Sequence, residues 1–383
     1  MAESNISSPR KKIVIFISED WYFWSHRRSI AIEALRRGYD VTLITRVNEL
    51  QTEIEKDGIK LIPSRMIRSS INPLRELITL VDLVRIYRQE KPDIVHHVAL
   101  KPVIYGTWAA LLTGVPGIVN AFGGLGHLFS SKSWATGLIK NLFVFILRLT
   151  LKNDRIRIIV QNPVDFQLLI DRKITDESRL KLIRGAGADL DYFFHIEEPG
   201  GTPVLVYAGR LLWSKGVGDF VRAVEILKDQ NINFRAVLIG RPDPENPESI
   251  PLSKLREWEE RDLIEWKGYQ EDMAKELSSG VLIVLPTFYG EGVPKILIEA
   301  AAVGRPIIAT NIPGCMEIVK HDWNGLLISP HSPEELASAI KKLLEDKDLR
   351  YQMGSNGRLM VEKEFSEELV IQQTFSLYEE LGL

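Results

Sequence analysis

Short apolar runs alternate with helix-period patterns along the whole chain. An apolar run over residues 12–17 predicts a buried first strand, and a helix over 25–37 follows it, closed by Gly38. Further strands are predicted at 39–45, 94–97, 117–120 and 157–161, with helical patterns between them. After a Gly- and Pro-rich break at 199–203 the pattern restarts, with strands at 204–208, 235–239, 264–267, 281–285, 306–309 and 325–328. Helices such as 219–228 and 294–303 fit between these strands. Such alternation demands a parallel sheet covered by helices on both faces. Two rounds of it predict two doubly wound domains, residues 1–188 and 189–383, with strand ends meeting across a cleft. A final helix near 367–381 is expected to pack back on the first domain, and the polar residues 1–12 to be disordered.

The longest apolar stretch, 138–151, is interrupted by Lys140, Asn141 and Arg148. A bilayer span needs about 20 apolar residues, so this stretch does not cross one. Two readings stay open: an amphipathic helix lying on a membrane with Trp134 at its start, or a core helix of the first domain.

Composition adds three constraints. The 383 residues are 45% hydrophobic and 26% charged, which suits two soluble cores. One cysteine, Cys315, excludes an intrachain disulfide and fits a reducing compartment, and the N-terminal apolar run is too short for a signal peptide. The expected location is therefore cytoplasmic, with the inner face of the plasma membrane as the alternative. The net charge of −3 hides an asymmetry: residues 1–190 hold 28 Lys and Arg against 19 Asp and Glu, the rest 20 against 32. No acidic residue lies between Asp93 and Asp154, while Lys101, Lys132, Lys140, Arg148 and Lys152 do. The basic half suits a phosphate-bearing substrate or an anionic membrane surface, unless it is merely an uneven share of solvating charge. No nucleic-acid partner is expected.

The densest chemistry lies in Leu285-Pro-Thr-Phe-Tyr-Gly-Glu-Gly-Val-Pro-Lys-Ile-Leu-Ile-Glu. A strand ends at Pro286, a Gly-bracketed loop carries Glu291, and a helix is predicted to begin at Val293 or Pro294. Free N–H groups at that start suit a phosphate or a sugar oxygen. Glu299, eight positions beyond Glu291, would lie on the order of 12 Å away if both were helical. Carboxylates accept strongly from sugar hydroxyls, so the two could clamp the ends of a nucleotide-sugar. Alone, such glutamates are usually dipole complements or solvated positions.

This stretch resembles the E-x7-E motif of the retaining family 4 glycosyltransferases, which have the GT-B architecture of two facing Rossmann-like domains. The resemblance implies that Glu291 contacts the donor sugar and Glu299 the ribose, with Gly292, Val293 and Pro294 forming the intervening loop. The family's usual EGFG reads EGVP here. A second segment, Ala208-Gly-Arg-Leu-Leu-Trp-Ser-Lys-Gly, is similar to the family's G-R-(x)n-K-G signature. It implies that Gly209 allows close approach while Arg210 and Lys215 hold the diphosphate, work that a metal does elsewhere. A third, Gly187-Ala-Asp-Leu-Asp-Tyr-Phe, resembles the linker into the donor domain. Its Asp189 and Asp191 also spell D-x-D, but no second acidic cluster accompanies them, so no metal site and no cofactor are expected.

Trp266-Lys-Gly-Tyr-Gln follows a strand where family members contact the nucleobase, so Gly268 and Tyr269 would border the base, or else form a plain turn. His127, in Phe122-Gly-Gly-Leu-Gly-His, is the candidate for the histidine that touches the reacting sugar in several members; a structural histidine is the other reading. The resemblance is specific over residues 185–330 and vague before them. The first βα loop departs from the family: Ser18-Glu-Asp-Trp-Tyr-Phe-Trp-Ser-His carries four aromatics in a row. Trp21, Tyr22, Trp24 and His26 are candidate acceptor contacts, or a lid over the first domain.

The implied activity is retaining transfer of a hexose or N-acetylhexosamine from a nucleotide-sugar, UDP-linked by family frequency. The acceptor would be a saccharide or polyprenyl-linked saccharide of cell-surface polysaccharide or lipopolysaccharide synthesis. A UDP-sugar 2-epimerase of similar fold and a non-catalytic GT-B-like partner subunit stay open as alternatives. There is no P-loop, no G-x-S-x-G, and no G-x-G-x-x-G after the first strand.

Overall fold

The computed structural model describes residues 10–68, 70, 72–125 and 137–382. They fall into two compact units, residues 10–123 with 137–183 and 371–382, and residues 124–125 with 184–370.

The first unit runs β1 (Lys12–Glu19), α1 (Asp20–His26), α2 (Arg28–Arg36), β2 (Asp40–Arg46), α3 (Gln51–Lys56), β3 (Lys60–Pro63) and α4 (Pro73–Glu90). It continues with β4 (Ile94–Val98), α5 (Leu100–Thr113), β5 (Gly117–Ala121), α6 (Gly137–Leu151), β6 (Ile156–Val160), α7 (Pro163–Asp171) and β7 (Leu180–Leu182). All seven strands are parallel, in the order β3-β2-β1-β4-β5-β6-β7. Ile13 to Ile17 of β1 are buried without alternation, because helices cover both faces of the sheet. Strands β3 and β7, at the two edges, escaped the sequence reading because each is short and lacks a continuous apolar run.

The first βα connection departs from expectation. Residues 20–26 are helical from the end of β1, not a loop, and the helix expected over 25–37 is broken at Arg27. Asp20 explains the early start: its buried carboxylate accepts from the backbone N–H groups of Asn48, Glu49 and Leu50 and anchors the chain entering α3. Phe23 then points into the core, while Trp21 is exposed and Tyr22 and Trp24 are half-buried.

β4 places two histidines on opposite faces of the sheet, both fully buried. Burial pushes His97 down to about 4 and His96 well below the ordinary imidazole range, so both are neutral. His97 Nδ1–H donates to Asn120 Oδ1 at 2.8 Å, which leaves Nε2 to accept from the Tyr87 hydroxyl of α4 at 2.9 Å. His96 Nδ1 shares a 2.7 Å hydrogen bond with the hydroxyl of Tyr378. Tyr378 lies on the last helix, α15 (Glu367–Glu380), whose residues from Ile371 onward belong to this unit.

The second unit runs β8 (Val204–Ala208), α8 (Val217–Asp229), β9 (Arg235–Ile239), α9 (Leu252–Glu260), β10 (Glu265–Gly268), α10 (Met273–Ser278) and β11 (Leu282–Leu285). Then come α11 (Lys295–Ala302), β12 (Ile307–Thr310), α12 (Pro313–Ile318), β13 (Gly325–Ile328), α13 (Pro333–Glu345) and α14 (Lys347–Glu364). Its six strands are parallel, in the order β10-β9-β8-β11-β12-β13, and every residue of β11 and β12 is buried. The expected α/β class, with two Rossmann-like parallel sheets, is what the structure has.

The His96–Tyr378 bond yields a prediction. Tyr378→Phe leaves a buried imidazole nitrogen without its partner and should lower stability by about 1–3 kcal/mol, read by chemical denaturation.

Candidate functional site

In an open parallel sheet, two adjacent strands whose connections leave in opposite directions open a crevice at their carboxyl ends. In the second unit those strands are β8 and β11: β8 connects outward to β9, and β11 to β12 on the other side. The segments that follow them carry most of the candidate residues.

After β8 the chain passes Gly209 and Arg210 and closes a short 3-10 turn over Trp213–Lys215 before α8 begins. After β11 it runs from Pro286 to Pro294, which caps α11 from outside rather than opening it. Glu291 is therefore in irregular backbone, and the helical spacing assumed between it and Glu299 does not apply. The two segments are stitched together, with Phe288 N–H donating to the Ser214 carbonyl at 3.0 Å. Gly314, in α12, sits so close to the Gly292 carbonyl that any β-carbon there would overlap it. Only glycine lets α12 support the Glu291 loop from beneath.

Lys215 and Glu291 meet in this crevice as an ion pair, Nζ to Oε2. Glu291 Oε1 accepts from the Thr287 hydroxyl at 3.0 Å, and Thr287 in turn accepts from Tyr289 N–H. Lys215 is buried, and its ammonium lies 5.6 Å from the centre of the Tyr289 ring. Burial lowers the Lys215 pKa, Glu291 works against that shift, and Arg210 adds to it. Burial and the Glu291 charge raise the neighbouring Tyr207, whose hydroxyl donates to the Lys215 carbonyl at 3.1 Å. The Cys315 thiol beneath is pushed up in the same way and is inert.

Around this pair the other candidates are dispersed. Arg210 NH1 lies 3.7 Å from Asp243. Gly209 packs against Gly240, whose missing side chain keeps the carboxyl ends of β8 and β9 in backbone contact. Glu299, buried on α11, is paired with Lys295 one turn earlier, and Lys295 also faces the Phe193 ring at 5.6 Å. Gly268 ends β10 in the left-handed region, and Tyr269 after it is exposed beneath the Arg241 guanidinium at 4.6 Å. Val293 and Pro294 are buried, so they offer a ligand backbone rather than side chains. His127 lies outside the described residues.

Trp21, Tyr22, Trp24 and His26 sit on α1 of the first unit. Tyr22 and His26 stack at 4.1 Å, and Trp21 stands edge-on to Tyr22 at 5.8 Å. Asp189 accepts from Asp191 N–H at 2.9 Å and Tyr192 N–H at 3.1 Å, which makes the D-x-D sequence a turn. Among the described residues no group of three or more His, Cys, Asp or Glu is placed to hold a metal ion.

Sequence reasoning missed Lys295, Thr287 and Asp243. The i, i+4 spacing of Lys295 and Glu299 was a usable signal; the Thr287 and Asp243 contacts have none, since loop geometry alone makes them.

Comparison with known proteins bears on the family and the fold. Residues 12–162 match the family model described as glycosyl transferase 4-like, and residues 190–360 the model described as glycosyl transferases group 1. The chain is 26% identical over 369 residues to the N,N'-diacetylbacillosaminyl-diphospho-undecaprenol alpha-1,3-N-acetylgalactosaminyltransferase of Campylobacter jejuni, covering 92% of this chain and 95% of that protein. It is 24% identical to the UDP-Gal:alpha-D-GlcNAc-diphosphoundecaprenol alpha-1,3-galactosyltransferase of Escherichia coli, covering 81% of each. Among solved structures, a glycosyltransferase from Rickettsia africae superposes with a TM-score of 0.78 at 20% identity, over 98% of this chain and 99% of that one. Anabaena HepE, solved in complex with UDP and glucose, gives 0.77 at 17% identity, over 97% and 100%. The fold is thus that of the GT-B glycosyltransferases.

The Lys215–Glu291 pair is testable without a substrate. Glu291→Gln strands a buried ammonium and should cost about 2–3 kcal/mol, somewhat less than a fully enclosed pair would. Adding Lys215→Met should recover most of that loss in thermal unfolding, since the double variant buries no unpaired charge.

Proposed function

Since the chain belongs to the glycosyl transferases group 1 family and is a glycosyltransferase, we propose a specific reaction for it. It moves a hexose or N-acetylhexosamine from a UDP-sugar to a polyprenyl-diphosphate-linked saccharide, with retention of anomeric configuration. The observation that carries the donor half is the ion pair of buried Lys215 with Glu291 at the β8/β11 crevice.

A donor diphosphate entering there meets Lys215 and Arg210, two cations fixed at the carboxyl edge of the sheet. As the bond between sugar and diphosphate breaks, negative charge grows on the departing phosphate oxygen. Cations held in place beforehand, Lys215 by burial and Arg210 beside Asp243, stabilise that charge with little reorganisation, and this lowers the barrier. Glu291, freed in part from Lys215 by the incoming phosphate, accepts from hydroxyls of the sugar. Glu299 does the same for the ribose, with Lys295 setting its orientation. Attack from the face that the diphosphate leaves gives retention, and the departing phosphate takes the acceptor's proton. Lys215 and Arg210 supply the charge that a divalent metal supplies elsewhere, so the reaction is proposed to be metal-independent.

Two relatives support the acceptor half, since their names specify transfer to diphospho-undecaprenol-linked sugars. The acid-free stretch between Asp93 and Asp154 agrees with an anionic acceptor at a membrane surface. Among the described residues no helix is long and apolar enough to cross a membrane. Peripheral association with the cytoplasmic face is the location proposed, supported by the lipid-linked acceptors that the two relatives' names specify. The aromatic side chains of α1 are the proposed acceptor contacts.

The test is incubation with a panel of nucleotide-sugars, with and without a polyprenyl-diphosphate saccharide, in EDTA. Transfer with retained configuration is expected, from UDP-sugars. Epimerisation of the free donor, or no turnover with any donor, would overturn the reading. Glu291→Ala and Lys215→Ala should each lower kcat by at least about 10²-fold.

A pH dependence follows from the lowered Lys215 pKa. The free enzyme loses this ammonium below the ordinary lysine value of about 10.4, so kcat/KM should fall on an alkaline limb that begins under that value. Whatever activity Lys215→Arg retains should lack that limb, because a guanidinium keeps its charge throughout.

A further inference from the structure

The helix layer on one face of the first sheet has an outer surface that a water-soluble protein has no reason to build. Helices α4, α5 and α6 connect β3 to β4, β4 to β5 and β5 to β6, and right-handed crossovers put all three on the same face. They pack as neighbours, α4 against α5 and α5 against α6.

α4 buries Thr79, Leu83 and Tyr87 toward the sheet. At 100° per residue, the opposite side carries Leu74, Leu77, Ile78 and Val81, followed by Arg85 and Arg88. All six are exposed, Leu74 at 72%. The outward face of α4 is thus apolar over its first half and cationic over its second, the reverse of a solvated helix.

The neighbours extend the apolar area. α5 exposes Trp108 and Leu112, the latter at 65%, and Trp108 Nε1–H donates to Thr150 of α6 at 2.8 Å. One helical turn apart on α6, Phe145 and Leu149 are also exposed. Neither α5 nor α6 contains an acidic residue. Two of the three acids of α4 are neutralised by lysines of other elements, Glu76 by Lys101 at 2.8 Å and Glu90 by Lys60 at 2.7 Å, while Asp82 lies 3.7 Å from the exposed Arg85.

We propose that this α4–α5–α6 face seats the enzyme on an anionic lipid bilayer, Leu74, Leu77, Ile78 and Val81 entering the headgroup boundary while Arg85 and Arg88 meet anionic lipid. The inference rests on, and deepens, the reading of a polyprenyl-linked acceptor. Side chains of this size inserted together, backed by cations, match what holds amphipathic helices in the interface plane. A protein partner would more often call for a charge-depleted apolar centre than for an apolar strip running into arginines. The placement also fits the acceptor. In a parallel sheet every helix that follows a strand starts at the carboxyl edge, so the leucine-rich start of α4 and the aromatics of α1 share that edge. A bilayer seated there brings a membrane-held diphosphate to Trp21 and Tyr22.

The full-length protein is sedimented with phosphatidylcholine vesicles, with and without phosphatidylglycerol, at low and high salt. Preferential binding to the anionic vesicles, weakened by salt, is expected. Leu74→Ser/Ile78→Ser and Arg85→Glu/Arg88→Glu should each weaken that binding by at least about tenfold. Circular-dichroism melts and hydrolysis of the nucleotide-sugar in water should stay at wild-type levels. Wild-type binding by both variants, or no binding by the unmodified protein at low salt, would overturn the proposal. So would a dimer in solution that the serine variant dissolves, because the face would then cover a second copy of this chain. Transfer to a polyprenyl-diphosphate saccharide in vesicles separates the two claims. If vesicle binding needs this face but no transfer occurs, the acceptor reading fails and the surface stands. If both variants bind and transfer like the wild type, the surface fails and the reading stands.

Discussion

A buried lysine facing a half-buried glutamate is the constraint around which the second unit is organised. Taking an ammonium out of water is costly, and a partner with further hydrogen bonds is the usual way to tolerate it. Here Glu291 is that partner, fixed in turn by Thr287, and the 3-10 turn that delivers Lys215 is bonded to the loop that delivers Glu291. The pair is also poised for a ligand. In the proposed reaction, an arriving diphosphate would offer Lys215 a stronger partner and release Glu291 to accept from hydroxyls. Two loops that must be held together in the empty protein are thereby the two that a nucleotide-sugar would bridge.

The first unit solves a different burial problem. Its central strand β4 brings two imidazoles into the core, where neither can carry a charge. Each is kept neutral and given a hydrogen-bond partner from a helix layer, Tyr87 for His97 and Tyr378 for His96, and His97 also bonds Asn120 of the neighbouring strand. These bonds fix α4 and the last turns of α15 against the sheet with a directionality that apolar packing lacks. With α4's inner face held in this way, its outer face is free to differ from an ordinary solvated surface, which is the feature that the bilayer proposal uses.

Strand existence was legible because β-strands buried on both faces need continuous apolar runs, and 13–17, 204–208 and 281–285 have them. The edge strands β3 and β7 were not, because a strand of three or four half-covered residues leaves no such trace. The aromatic segment after β1 read as a loop, since nothing local announces that Asp20 reaches 28 residues ahead to cap another turn. The stretch at 138–151 carried two readings, and α6 has the marks of both: Val144, Leu147 and Leu151 buried, Phe145 and Leu149 exposed.

The sequence by itself placed Lys215 and Glu291 just after two strands of a second α/β domain and Glu299 on the helix that follows, because continuous apolar runs mark those strands. Only the tertiary structure decided how they are paired. Glu291 joins Lys215 across 76 positions, while Glu299 joins Lys295 within one helical turn. The first pairing follows from strand order, which puts β8 beside β11, and strand order is settled by how whole sheets cover their apolar faces. No local run of residues encodes it.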